Sequence, residues 1–195
     1  VETVDENYDV SIIQVGKQPL EGDFVARLLA HSEVITCASP SYLDRNGRPK
    51  HPRELIEHDT MLPSHAREIT FQHGAIQGDD EPPGESLTLT PGRPALSSVH
   101  GDTIYAAALA GMGISGLPSY VVETALRDGK LERVLPEWRV LTVRVYAGMP
   151  TRKYVPARTR AFIDFLVKSF GGREHDPWLQ AAGCETPCGA VKPAQ

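Results

Sequence analysis

The chain has 195 residues, 41% of them hydrophobic, with 20 Lys and Arg against 25 Asp and Glu for a formal net charge of -5. That length holds one domain or two small ones around a sizeable core, and the acidic balance argues against a free-standing nucleic-acid binder. No apolar run approaches the roughly 20 residues that span a bilayer, and no charged-then-apolar leader opens the chain, so a cytoplasmic location is expected.

Tyr8 to Val15 is rich in β-branched and apolar residues and reads as a strand buried on both faces. After a loop from Gly16 to Gly22, Phe24 to Ala38 reads as two strands broken near His31. Ser39 is a helix cap, with Pro40 in the first turn of a short helix running through Leu43 and Asp44. Pro52 to His58 carries the same proline signal for a second short helix. Ile69 to Phe71 and Leu87 to Thr90 read as strands of an irregular meander, separated by the turn-rich stretch from Gly78 to Gly84.

The most informative stretch runs from Gly101 to Pro118. Ser97, Ser98, His100, Asp102 and Thr103 crowd the start of a helix, where the first N–H groups have no partner within the helix and the dipole favours anions. Ile104, Ala107, Ala108 and Gly111 recur at i, i+3, i+4 and i+7, a narrow face of small residues that lets the helix sit close to a sheet. Gly111 and Gly113 end it, and Ile114 to Leu117 follow as a buried strand with Pro118 behind.

Further on, Tyr120 to Arg127 is a helix closed by Gly129, Leu131 to Leu135 a short strand, and Thr142 to Ala147 a strand of clean alternation. Ala157 to Phe170 carries the strongest helical pattern: Phe162, Phe165, Leu166 and Ser169 trace a stripe beside Ile163 and Phe170, with Arg158, Arg160 and Lys168 facing away. Gly171 to Gln195 is rich in Gly, Pro and polar residues and reads as a disordered tail. No repeat at a fixed period occurs.

The order of elements is that of an α/β protein with two lobes joined by two crossings. The expected first lobe is residues 1–16 with 114–170 and the second 17–113. Ligands of such folds lie at the lobe interface, outside strand ends and against helix N-termini.

Other residue sets point to no chemistry. The three cysteines, Cys37, Cys184 and Cys188, make no disulfide framework at their odd count and irregular spacing. Cys184 and Cys188, even with the scattered His175, fall short of the four ligands of a zinc site. His31, His51, His58, His65 and His73 lie on different elements without metal-ligand spacing. Ser97 and Ser98 beside His100 and Asp102 lack a Gly-x-Ser-x-Gly elbow and are too close along the chain to form a triad. Arg152, Lys153, Arg158 and Arg160 read as a solvated helix start. No catalytic residue, metal or cofactor is expected.

Five segments in series carry a family resemblance: Phe24 to Ala30; Cys37-Ala38-Ser39-Pro40-Ser41-Tyr42-Leu43 with Gly47 and Pro49; Pro52-x-x-Leu55-x-x-His58; Ala106 to Pro118; and Phe162 to Leu166. In order and spacing the chain resembles the C-terminal effector-binding domain of LysR-type transcriptional regulators from about Asp5 to Phe170. The resemblance implies a two-lobed fold like that of type 2 periplasmic binding proteins, with the first lobe incomplete, its opening strand and helices missing. It implies sensing of a small organic effector, often a carboxylate or an aromatic acid. It also implies DNA binding only through an N-terminal winged helix-turn-helix domain not found here, and dimers or tetramers paired side by side through first-lobe helices and strands of the effector domains, here Tyr120 to Arg127 and the facing strand.

By the same resemblance, the effector pocket is lined by Gln14, Val15 and Gly16 from the first crossing and by Ser97, Ser98, His100, Gly101, Asp102 and Thr103 from the helix start. Hydroxyls of Ser98 or Thr103 and amides near Gly101 suit a carboxylate. Many members place Arg where Ile13 or Gln14 stands, so the pocket is expected to lack a fixed cation, which His100 replaces only when protonated. Two other readings compete: a periplasmic solute-binding protein of the same fold, and a truncated dimerisation module blind to ligand.

Overall fold

The computed structural model describes residues 4–5, 7–16, 20, 22–74, 85–90, 94–150, 155–170 and 176–184. The chain divides into two compact units: residues 1–33 with 141–178, and residues 34–140 with 179–195. The divisions therefore fall at Glu33 and Leu141, not after Gly16 and Gly113. The reason is strand pairing. β1 (Ser11–Val15) and the N-terminal part of β2 (Phe24–Ala38) both pair with a strand late in the chain, which draws Phe24 to Glu33 into the first unit.

In the first unit that late strand, β10 (Thr142–Pro150), lies between β1 and β2, antiparallel to both. Among the described residues β1 pairs with β10 alone, and only Ile13 of its five residues is buried, so the expectation of burial on both faces fails. A second expectation also fails: β2 is one strand of 15 residues, unbroken at His31. Polar His31, Ser32 and Glu33 look like a break in the apolar run, but all three stay in register with β10; the irregularity is at Leu29 of β2, which the register skips between Val145 and Tyr146 of β10. One helix, Ala157–Phe170, packs on this sheet with the bounds its sequence predicts.

That helix turns a different face inward from the expected stripe. Ile163 packs on Leu29, Val145 and Ala147, joined by Leu166, Val167 and Phe170, whereas Phe162 and Phe165 are exposed. Apolar content alone placed the stripe, but the sheet residues underneath decide which side is buried. Trp178 meets Phe170 at a tilt with ring centroids 5.8 Å apart, and the buried carboxylate of Asp176 accepts the N–H of Glu33 at 2.7 Å.

In the second unit the end of β2 continues into a sheet with β7 (Ile114–Pro118), β3 (Thr60–Pro63) and β6 (Leu96–Ser98). β7 runs antiparallel to β2, while β3 runs parallel to both β7 and β6. β8 is only Glu132–Arg133, shorter than the expected Leu131 to Leu135, and Leu135 turns away with φ of 54°. A small antiparallel sheet joins β4 (Ile69–His73) to β5 (Ser86–Leu89) and β9 (Trp138–Arg139).

Two helical segments of the second unit begin where Ser39 and Pro52 predict. The Ser39 side chain accepts the N–H of Tyr42 at the start of α1 (Pro40–Asn46). Pro52–Glu57 forms a 3-10 turn. α2 (Gly101–Leu109) buries Ile104, Ala107 and Ala108, the small-residue face its spacing predicts, in a cluster with Ile35, Cys37, Met61 and Leu117 of the sheet. α3 (Ser119–Arg127) buries Val122 and Ala125 in the same cluster, so it lies in the second unit and not in the expected first lobe.

In the first unit, Ala157–Phe170 is α4; a short α5 (Pro177–Ala181) follows and enters the second unit's core at the fully buried Leu179. The chain after Gly171 thus contains a packed helix where a disordered tail was expected. Residues 78–84, 152–153, 171–175 and 185–195, with His175 and Cys188, lie outside the described residues. Among the described residues no helix is long and apolar enough to cross a membrane.

Candidate effector site

The nine residues expected at the effector site fall into two sets, one on each unit. In the second unit, β6 carries Ser97 and Ser98 along an outer strand, and the chain turns through Val99 into α2. Ser98 Oγ accepts the N–H of His100 at 3.1 Å, which fixes the turn. His100 is the N-cap residue, yet its side chain makes no capping hydrogen bond. Nothing stands within 4 Å of the position a Cβ would take at Gly101. His100, Gly101, Asp102 and Thr103 are all exposed. The residues at the start of α2 are therefore exposed, at the end of a helix where the first amides lack partners within the helix and the dipole is positive, with the Ser98 and Thr103 hydroxyls nearby in sequence. Asp102 in the first turn favours the helix but opposes an anion there.

In the first unit, Gln14 and Val15 end β1, and Gly16 follows. Strand pairing sets Val15 opposite Arg144 on β10, and the Arg144 guanidinium donates to the Gly16 carbonyl at 3.3 Å. An arginine therefore stands beside Gly16. It lies 128 positions along the chain, and only the register of β1 against β10 brings it there.

The end of α2 is held as firmly as its start is open. Arg45 of α1 donates to the Gly111 carbonyl at 3.1 Å, and Gly111 takes φ of +75°. Asp59 O accepts from the N–H of Ile114 at 2.9 Å, directly after Gly113. Tyr42 Oη accepts the N–H of Asp59 at 2.9 Å and lies 3.2 Å from His58 Nδ1; burial pushes the Tyr42 hydroxyl above its ordinary value. α2 is thus pinned at its C-terminal end by α1 and by the segment before β3.

Three of the histidines stand against aromatic side chains. His51 and His73 both meet Trp138 edge-on, with ring centroids 5.1 Å and 4.9 Å away, and His58 pairs with Tyr42. His31 lies on β2 and His65 in a turn. Among the described residues no group of three or more His, Cys, Asp or Glu could hold a metal. Arg158 reaches Asp9 at 3.7 Å from the start of α4, and Arg160 is exposed, as a solvated helix start requires.

Comparison with known proteins defines the class. The LysR substrate binding domain family matches residues 1–171. The transcriptional regulator PtxR of Pseudomonas aeruginosa is 41% identical over 153 residues, a match covering 78% of this chain and 47% of PtxR.

Solved structures agree. The regulatory domain of AphB from Vibrio vulnificus superposes with a TM-score of 0.68 at 22% identity, over 85% of this chain and 77% of that one. The regulatory domain of CrgA, a LysR-type transcriptional regulator from Neisseria meningitidis, does so with a TM-score of 0.64 at 25% identity, over 85% and 76%. The chain belongs to the LysR substrate-binding domain family, an effector-binding domain with the periplasmic-binding-protein-like regulatory fold. It spans about half the length of the curated relatives it matches. Those relatives are regulators, which does not favour a transport protein and fits a domain without catalysis.

Proposed function

We propose that this domain senses a small organic carboxylate, aliphatic or aromatic, and that the start of α2 is where the carboxylate is held. The observation that carries the reading is the uncapped His100 with the exposed Gly101, Asp102 and Thr103 behind it. Backbone amides there, with the Ser98 and Thr103 hydroxyls, supply donors to a carboxylate, and Ser97 borders them. The other expected residues, Gln14, Val15 and Gly16, lie in the first unit, where the Arg144 guanidinium beside Gly16 is a positive charge able to pair with an anion. In the whole regulator, effector binding changes how regulatory domains pair in a cytoplasmic homo-oligomer, and DNA is bound by an N-terminal domain outside these residues.

Thermal shift against a panel of small organic acids and aromatic carboxylates tests the reading, because a ligand at 100 times its Kd stabilises by about 2.7 kcal/mol. A stabilising acid should lose its effect in Thr103→Ala and in His100→Ala while both variants melt as the parent does without ligand. Equal stabilisation of parent and variants removes the start of α2 from the site. A neutral amide analogue that stabilises as well as its acid removes the carboxylate.

A further inference from the structure

The 3-10 turn Pro52–Glu57 of the second unit has a histidine at each end, and both histidines work as hydrogen-bond acceptors through Nδ1. At the start, His51 Nδ1 accepts the N–H of Arg53 at 3.2 Å. A ring nitrogen that accepts carries no proton, so the His51 ring is neutral in this geometry, with its proton on Nε2. At the other end the role of His58 follows from Tyr42. The Tyr42 oxygen accepts the N–H of Asp59 at 2.9 Å and lies 3.2 Å from His58 Nδ1. Tyr42 is 2% exposed, and among the described residues His58 Nδ1 is the acceptor left for its hydroxyl proton.

These two bonds close the ends of a short segment. Pro52 and Leu55 are buried, while Arg53, Glu54, Ile56 and Glu57 are exposed. Behind the turn, the Asp59 carbonyl accepts the N–H of Ile114 at 2.9 Å, where β7 begins. Both imidazoles are half-buried, within reach of solvent.

Few charged groups surround the two rings. Near the Tyr42 and His58 pair are Asp59 and, from α1, Arg45, whose guanidinium is engaged at the Gly111 carbonyl; Glu57 precedes His58 in the chain. His51 has Lys50, Arg53 and Glu54 in its own segment and meets Trp138 edge-on, with Glu137 and the buried Arg139 on either side of that tryptophan in the chain. β5, which packs on the turn, brings no titratable group. His73 of β4 also meets Trp138, and its Nε2 is 3.6 Å from Glu137, a contact that protonation strengthens and that does not involve the turn.

We propose that the turn Pro52–Glu57 is a proton-operated latch, closed when His51 and His58 are neutral and released when they gain a proton. An imidazole exchanges its proton between pH 5 and 8. A proton on His51 Nδ1 sets one N–H donor against another, that of Arg53. A proton on His58 Nδ1 takes away the acceptor of the Tyr42 hydroxyl. Both changes have the same sign, so the turn and the Asp59 peptide behind it loosen together as pH falls.

Amide exchange followed by NMR at pH 7.5 and pH 5.5 tests the latch in the 195-residue chain, with each protection factor taken as the intrinsic rate divided by the observed rate at that pH. The Arg53 and Asp59 factors should fall by at least about fivefold at the lower pH. Imidazole nitrogen spectra at pH 7.5 should show both Nδ1 atoms without a proton. In a His51→Asn, His58→Asn chain the amide oxygens accept at either pH, and the factors should stay within about twofold. His73→Gln should leave the fall of the parent intact. Equal protection at both pH values in the parent, or a protonated Nδ1 in either ring at pH 7.5, overturns the proposal. A fall that persists in the double variant, or one that His73→Gln abolishes, places the effect at His73 and Glu137 and overturns it too. An equal fall at the Ala30 amide of the first unit marks general unfolding and overturns it as well.

Discussion

Arg45 on α1 donates a hydrogen bond of 3.1 Å to the carbonyl of Gly111, the residue at which the chain leaves α2. A cation at a helix C-terminus both satisfies a carbonyl without a helical partner and complements the dipole. Gly111 itself has φ of +75°, and a Cβ there would stand 3.0 Å from Ser41 Oγ and 3.1 Å from Ser39 Oγ. Gly111→Ala is expected to cost about 1–2 kcal/mol from the backbone alone, and Arg45→Ala about 1 kcal/mol. Urea denaturation measures both, and a Gly111→Ala protein as stable as the parent would show that the turn can be rebuilt.

Gly113 should be less replaceable still. A Cβ on it would lie 2.4 Å from the carbonyl oxygen of Asp59, the atom that accepts the Ile114 N–H. Both partners are backbone, so relief requires moving the segment before β3 away from β7. Gly113→Ala should cost at least about 2 kcal/mol. Gly101→Ala, where a Cβ meets nothing within 4 Å, is the matched control and should stay within about 0.5 kcal/mol of the parent.

Arg48 ties the loop after α1 to β8, bonding Glu132 at 2.8 Å and 2.7 Å and Asp44 at 2.9 Å. The hydrogen bonds from Arg48 hold the Glu132 carboxyl below its ordinary 4.5. A carboxylate depressed by folding stabilises the protein above its unfolded value, and that contribution is lost as pH falls through the lower folded one. The pair is largely exposed, so Arg48→Ala should lower stability only slightly at pH 7. The gap between parent and variant should close below the ordinary carboxylate range; a gap that persists at low pH would show that Arg48 acts through packing.

The thiol of Cys37 is fully buried on β2, and burial pushes it up to about 12. Thiolate is the reactive form, so iodoacetamide at pH 8 should leave Cys37 untouched in the folded protein while the half-buried Cys184 reacts. Peptide mass analysis reads this directly. Modification of Cys37 at the rate of Cys184 would mean that the core around Met61 and Ile104 opens under native conditions.

Local chemistry was readable from sequence wherever it acts locally. Ser39 with Pro40 and the pattern of Ala157–Phe170 set helix positions, and the spacing of Ile104, Ala107 and Ala108 set the buried face of α2. What escaped depends on partners far along the chain. Thr60–Pro63, Leu96–Ser98 and Trp138–Arg139 are too short to show periodicity and are strands only because a neighbour pairs with them. Phe162 and Phe165 look more buried than Ile163 until Leu29 and Val145 are placed beneath the helix. At the candidate site the start of α2 could be read from its polar residues, but Arg144 could not be found without the register of β10.

The chain has two tryptophans, and they are divided one to a unit. Trp138 stands against His51 and His73 in the second, while Trp178 meets Phe170 at a tilt in the first. Intrinsic fluorescence is therefore two signals with separate addresses. A Trp178→Phe chain reports only the unit that holds α2, and a Trp138→Phe chain only the unit that holds Arg144. Unfolding and ligand titration followed in the pair resolve which unit responds first, with no dye attached and no label introduced.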